Sequence, residues 1–329
     1  MNDAALRRAL QKAIDRRAPL RQRTPTTNAF RLVNARGDAL PDVTVDLFDK
    51  VAVLSLYRDL PPDEEVRLAE AVRQTSGARA VYLKRRPREA RVAANVAKSE
   101  VAPESPITGE RVDELTVLEN GVHFVIRPGQ GLSVGLYLDM RDTRQWVREQ
   151  IRGRTLLNTF AYTCGFGVYA HHGGAARAVN VDLSRRVLDW GEENLRRNGF
   201  LPDRRDHLAG DCFEWLKRLA KKGETFDVVV LDPPSFSTSR SGRFSAARDY
   251  PKLAAAAAPV VADGGWLVAC CNLQQLSGAR FEAMVQAGIA QAGRSARLIQ
   301  RLGPSAIDFP STSDEPPGLK VRVYEVRSR

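Results

Sequence analysis

The sequence predicts an α/β protein: a mostly parallel, doubly wound sheet that closes on a C-terminal antiparallel hairpin, preceded by a small N-terminal α+β domain. Three observations carry this. Apolar segments such as TLLNTF, AVNVDL and FDVVVLD alternate with amphipathic helical ones, the pattern of parallel strands covered on both faces. Two late strands, near Ala296–Leu302 and Lys320–Val326, are separated by a Pro-rich loop in place of a helix. A length of 329 residues is about twice the modal domain size, so two domains are expected.

The elements follow in order. Residues 1–27 read as an Arg-rich helix and linker, with Leu6, Leu10 and Ile14 at four-residue spacing on one face. Residues 28–113 read as the small α+β domain: an antiparallel meander broken at Arg36-Gly37-Asp38 and Phe48-Asp49-Lys50, a helix over Asp63–Gln74 and a strand Ala80–Leu83. Pro103, Pro106 and Gly109 mark its end. Residues 114–329 read as the sheet domain. It opens with a hairpin, the Gly-rich stretch PGQGLSVGLYLDMRDTR and a helix through Trp146 and Val147. Helices are expected after Cys164, over Ser184–Asn198, over Cys212–Lys222 and over the Ala-rich 252–260, with a polar loop at Ser237–Arg248.

Composition narrows the function. With 43% apolar and 27% charged residues the chain suits ordinary soluble cores, and no apolar run approaches the roughly 20 residues that cross a bilayer. The N-terminus lacks the apolar stretch of a signal peptide, so the cytoplasm is the expected address. Cys164, Cys212, Cys270 and Cys271 form no CxxC pair, and four histidines accompany them, so neither a disulfide framework nor a metal centre is expected. A net charge of +11 favours a polyanionic partner, nucleic acid first, against the rival reading of an arginine-rich composition with no such partner. Lys84, Arg85, Arg86 and Arg88 cluster after a strand and suit phosphate, as do Arg240 and Arg243 in the polar loop; a solvated surface is the rival in both places.

Ligands of such sheets bind at the carboxyl ends of the strands. The first strand runs into Asn158-Thr159-Phe160-Ala161-Tyr162-Thr163-Cys164-Gly165-Phe166-Gly167, where Gly165 and Gly167 allow close backbone approach and no GxGxxG signals a dinucleotide. The second ends at Asp182, seventeen residues past Gly165 and placed for a ribose diol; the third ends at Asp211, beside Cys212 and Phe213, placed for an adenine amino group. Each acid alone also reads as a helix N-cap. The fourth ends in Asp232-Pro233-Pro234-Ser235-Phe236, a rigid turn with free carbonyl acceptors and a stacking face for a flat heterocycle.

The segments NTFAYTCGF, VNVDLSRRVLDWGEENLRRNGF, FDVVVLDPPSFS and GLSVGLYLDMRDTR resemble the class I S-adenosylmethionine-dependent methyltransferases of 23S ribosomal RNA, the group of the 5-methylcytosine and N7-methylguanine large-subunit enzymes. The resemblance runs from about Asn28 to the C-terminus and implies a Rossmann-like sheet, in which the antiparallel ending marks a methyltransferase and not a nicotinamide domain. It implies S-adenosylmethionine held by Phe160, Ala161, Tyr162, Thr163, Gly165, Asp182, Leu183, Asp211, Cys212 and Asp232, with Tyr137, Asp139, Arg141 and Arg144 closing over cofactor and target base. Asp232, Pro233, Pro234 and Phe236 would form the catalytic slot, and RNA would be the partner of a monomer or homodimer.

Three departures stand out. The PUA domain of the 5-methylcytosine members has no counterpart, Met140 replaces the Gln of an LDQR-like segment, and Cys164 takes a position that is often Gly. Mechanism turns on a further position. Methylating cytosine C5 demands a thiolate adding at C6, whereas transfer to a nitrogen lone pair mainly requires in-line positioning. Counting from Gly264-Gly265 puts Asn272 where the resemblance implies that thiol, and a one-residue shift would bring in Cys271. Nitrogen is therefore slightly favoured, and whether Cys270 or Cys271 is a nucleophile stays open. A methyltransferase of protein or small molecules, and a silent RNA-binding protein of the same fold, are the rival readings.

Overall fold

Asn2 starts the first helix: its Oδ1 accepts from the Ala5 N–H at 2.9 Å, and α1 (Asp3–Arg16) buries Leu6, Leu10, Ala13 and Ile14 on one face. The computed structural model describes residues 2–23, 25–86, 98–239, 242–313 and 316–328. It divides into two compact units, Met1–Arg141 with Ser305–Pro316, and Asp142–Pro304 with Pro317–Arg329. In the first, β1 (Ala29–Asn34), β2 (Val43–Phe48) and β3 (Val51–Leu56) form the expected antiparallel meander. Helix α2 (Pro62–Ser76) crosses to β4 (Ala80–Arg85), parallel to β3, and β5 (Thr108–Gly109) completes a five-stranded sheet. A separate hairpin, β6 (Leu115–Glu119) and β7 (Val122–Ile126), turns at Asn120-Gly121, both left-handed at φ 51° and 79°, as a two-residue type I′ turn requires.

Buried charges in this unit are held in a lattice. Arg17 donates to both oxygens of Asp38 at 2.6 Å and to the carbonyls of Arg31 and Asp308. Arg141 grips Asp308 through two bonds of 2.7 Å, so the Ser305–Pro316 excursion is anchored by a fully buried carboxylate. Lys84 is different. It is fully buried on β4, and among the described residues its Nζ has no hydrogen-bond acceptor. It is thus not the phosphate-facing cation that its neighbours in sequence imply. Burial, helped by Arg86, pushes its pKa down to about 8, so below that pH the folded protein carries an unpaired buried charge. The unfolded chain binds that proton up to a higher pH, and stability rises from about pH 8 towards the ordinary lysine range. Lys84→Met should therefore raise stability at pH 7 by about 3 kcal/mol, a gain that shrinks at pH 10 and is read by thermal melts at both pH values.

The second unit is built on a seven-stranded sheet. Its order is β10 (His207–Ala209), β9 (Arg177–Asp182), β8 (Thr155–Thr159), β11 (Phe226–Leu231), β14 (Val261–Asn272), β16 (Leu319–Ser328) and β15 (Arg294–Leu302). The first five run parallel and the last two pair antiparallel, the predicted ending. Helices α3 (Arg141–Gln150), α4 (Gly165–His172), α5 (Arg185–Arg197), α6 (Cys212–Lys221), α7 (Ala246–Ala257) and α8 (Gly278–Gln291) intervene. One part of the core joins Leu157, Val179, Leu216, Val229, Leu253, Leu267 and Phe281. Among the described residues no helix is long and apolar enough to cross a membrane.

The structure differs from expectation in four places. The break in compactness falls at Arg141/Asp142, past the expected 113/114, because the β6–β7 hairpin and the segment after it pack with the first unit. The polar loop after Phe236 is a hairpin, β12 (Phe236–Ser239) and β13 (Gly242–Ser245). The Ala-rich helix begins at Ala246 and runs through Pro251, whose carbonyl is covered by Gly288: a Cβ there would lie 2.2 Å from it. Helix α8 has no counterpart in the sequence reading, although Phe281, Val285 and Ile289 recur every four residues behind a Ser277 cap.

Candidate active site

The loop after β8 is shaped by backbone conformation. Phe160, Tyr162 and Cys164 are all left-handed, at φ 56°, 49° and 60°, a run of strained positions that L-residues rarely adopt and that concentrates at functional sites. Its supports come from neighbouring elements. The Asn194 side chain of α5 donates to the Thr163 carbonyl at 3.0 Å, and Gly191 is bare because a Cβ there would meet Cys164 Sγ at 2.2 Å. Asn158 and Asn180, polar residues buried in adjacent strands, bond at 3.0 Å, and Asn180 packs so closely on Gly167 that a Cβ would lie 2.5 Å from Oδ1. Gly165 faces Arg144 of α3, whose guanidinium lies over Tyr169. Gly165 and Gly167 were expected here, whereas Gly191, Asn180 and Asn194 were not, though a polar residue in the middle of an apolar strand, as in AVNVD, was an available signal.

Asp182 ends β9 and reaches back to this loop. Its Oδ2 accepts from Tyr162 N at 2.9 Å and its Oδ1 from Ser184 N at 3.0 Å. The N-cap of α5 is Ser184, so the capping explanation for Asp182 does not hold. Burial raises the Asp182 pKa against the lowering pull of those amides. Beside it Leu183 stands 60% exposed, an apolar face presented to solvent. Asp211, by contrast, caps α6: its Oδ1 accepts from Phe213 N at 2.9 Å and Glu214 N at 3.3 Å. Cys212 next to it is buried, and burial raises its thiol pKa.

The fourth and fifth tips adjoin. Leu231 pairs with Ala269, and the Tyr250 hydroxyl, from α7, donates to the carbonyls of both Leu231 and Cys270, at 3.2 and 2.9 Å. Asp232-Pro233-Pro234 therefore lies alongside Cys270–Asn272, with Ser235 Oγ donating to the Asn272 carbonyl at 3.2 Å. Phe236 is 56% exposed on this rim. Cys271 is 1% exposed within the core, and burial raises its pKa, conditions that favour thiol over thiolate.

Tyr137, Asp139 and Arg141 belong to the first unit; the Tyr137 hydroxyl lies 2.6 Å from Ser133 Oγ, and Arg141 pairs with both oxygens of Asp308. Among the expected RNA cations that are described, Lys84 is buried, Arg85 pairs with Glu65, and Arg86 donates to Ser55 and to the Leu132 carbonyl. Arg243 is exposed on β13, while Arg88 and Arg240 lie outside the described residues.

Comparison with known proteins resolves the class. The model of the S-adenosylmethionine-dependent methyltransferase family matches residues 30–325. The chain belongs to this family. Its relatives include the ribosomal RNA large subunit methyltransferase I of Aeromonas salmonicida, 34% identical over 98% of this chain and 80% of that protein. The protein of the same name from Photobacterium profundum is 31% identical over 90% of this chain and 73% of its own length. Among solved structures, a methyltransferase complexed with SAH superposes with a TM-score of 0.86 at 26% identity, covering 99% of this chain and 82% of that one. An S-adenosylmethionine-dependent methyltransferase from Agrobacterium tumefaciens, 15% identical with a TM-score of 0.62 over 92% and 91% of the two chains, shares the fold. The family's cofactor fits the residues present. The Asp182 carboxylate is braced by two backbone amides, keeps acceptor capacity on each oxygen for a ribose diol, and has an exposed Leu183 beside it.

Proposed function

We propose that this protein methylates a base of large-subunit ribosomal RNA, with nitrogen favoured over cytosine C5 as the acceptor. The observation that carries the reading is that a braced ribose acid, Asp182, and an Asp-Pro-Pro turn with an exposed aromatic stand on tips of one parallel sheet, on either side of the β8 tip and its loop. The names of the relatives support RNA as the substrate, and the net charge of +11 agrees with a polyanionic partner.

S-adenosylmethionine, when bound, supplies an electrophilic methyl group on sulfur. The Phe160–Gly167 loop and Asp182 hold the nucleoside, Pro233 and Pro234 wall the slot, Phe236 stacks on the target base, and Asp232 receives hydrogen-bond donors of its amino edge. Thiol-assisted addition at C6 requires a depressed cysteine pKa; the buried, raised thiol of Cys271 supports nitrogen instead. The first unit is proposed to grip RNA and the cytoplasm to be the location.

Purified protein incubated with radiolabelled S-adenosylmethionine and large-subunit ribosomal RNA from a strain lacking the gene should transfer label to the RNA. RNA binding should weaken by at least about a hundredfold between 50 and 200 mM salt. A change under about threefold, with label passing to protein or small molecules, would replace RNA by another substrate.

A further inference from the structure

We propose that Asn272 reads the edge of the target base, and that Gly318 and Lys320 position it for that task. The proposal rests on the reading of the strand tips as a base-methylating site and adds to it the residue that selects the base. Asn272 is the last residue of β14, exposed, and paired across the sheet with Leu319.

Three independent features cradle it. Ser235 Oγ, directly after the Asp-Pro-Pro turn, donates to its backbone carbonyl at 3.2 Å, which ties this end of β14 to the proposed base slot. Gly318 backs the side chain: a Cβ there would stand 2.8 Å from Asn272 Oδ1, inside any real contact, so the amide rests against bare backbone. Lys320 Nζ donates to the carbonyls of Leu273 and Gly318, at 2.9 and 2.8 Å, clamping the residues that flank Asn272 in sequence and in space. The half-buried Lys320 thus spends two of its donors on backbone carbonyls. Its effect is to hold the backbone on either side of Asn272, from which the amide projects.

An amide offers one acceptor and one donor group side by side. That pair matches a base edge bearing an amino group next to a ring nitrogen or carbonyl acceptor, the edge adenine presents at N6 and N7. A thiol or an aliphatic side chain at this position would offer no such match. Asn272 is thus a specificity residue, while Gly318 and Lys320 are positioning residues acting through it.

The test uses full-length protein, radiolabelled S-adenosylmethionine and large-subunit ribosomal RNA from a strain lacking the gene. Asn272→Ala should lower kcat/KM for RNA by about ten- to hundredfold, the discrimination one bidentate amide provides, with cofactor affinity by calorimetry within about twofold of the wild type. Asn272→Asp, which keeps the shape and the acceptor but loses the donor, should lose a comparable factor. Gly318→Ala should cost at least about fivefold with cofactor affinity unchanged, and Lys320→Arg should retain more activity than Lys320→Met. Unaltered kcat/KM and an unaltered modified nucleotide in both Asn272 variants would overturn the proposal. A loss matched by an equal loss of cofactor affinity would also overturn it, since the residue would then serve the cofactor site. Wild-type protein that transfers no label to RNA would instead refute the underlying reading of the substrate.

Discussion

Asp182→Ala should raise the dissociation constant for S-adenosylmethionine by about a hundredfold or more. Two mechanisms add. The variant removes the carboxylate that accepts the ribose hydroxyls, and each hydrogen bond to a charged acceptor is worth about 1.5–3 kcal/mol. It also releases the Tyr162 and Ser184 amides, so the left-handed run through Phe160, Tyr162 and Cys164 loses the contact that closes it onto β9. Calorimetry with the cofactor reads the loss, and a thermal melt separates it from unfolding. Asp182→Asn, nearly isosteric, should keep the fold and bind between the two. The pH dependence follows from the same carboxyl. Burial raises its pKa above that of an exposed aspartate, and the protonated form surrenders acceptor capacity. Cofactor affinity should therefore fall on acidification, beginning at a higher pH than an exposed aspartate would give, and a flat affinity from pH 7 to 4 would remove Asp182 from the site.

Asp232→Ala should lower kcat by about a hundredfold or more, because the target base loses the acceptor that holds its amino edge in line with the methyl group. Asp232 directly follows β11, whose end Tyr250 ties to β14, so the variant should leave that frame intact and the melting temperature within a few degrees of the wild type. Single-turnover methyl transfer at saturating cofactor and RNA reads the effect. A fall confined to KM, with kcat intact, would make Asp232 a binding residue only.

Much of the fold was legible because parallel strands leave a strong mark. VVVL, TLLNT and AVNVD are apolar runs with an abrupt polar stop, and each stop landed at a strand tip of one sheet. The reversed ending was readable from a Pro-rich connector too poor in helical pattern to cross over. What escaped was set by tertiary partners. Lys84 looked like part of a basic surface, yet strand alternation turns it inward, opposite Ser55 of β3. Nothing in the local sequence marks that Arg141 is also gripped by Asp308, 167 positions away. The hairpin inside Ser237–Arg248 lacks the alternating apolar pattern of a strand, and its first strand starts directly after the Asp-Pro-Pro turn. Asp211 is the instructive middle case, since its sequence position is equally right for a cap and for a ligand, and the structure finds it capping α6.

The central claim is that the strand tips hold a methyl donor beside a nucleic-acid base. The most direct measurement is nucleoside mass spectrometry of large-subunit ribosomal RNA from cells with the gene, without it, and complemented by wild type or Asp182→Ala. One methylated base should vanish on deletion, return with the wild type and stay absent with the variant. An identical nucleoside profile in all four samples would contradict the account.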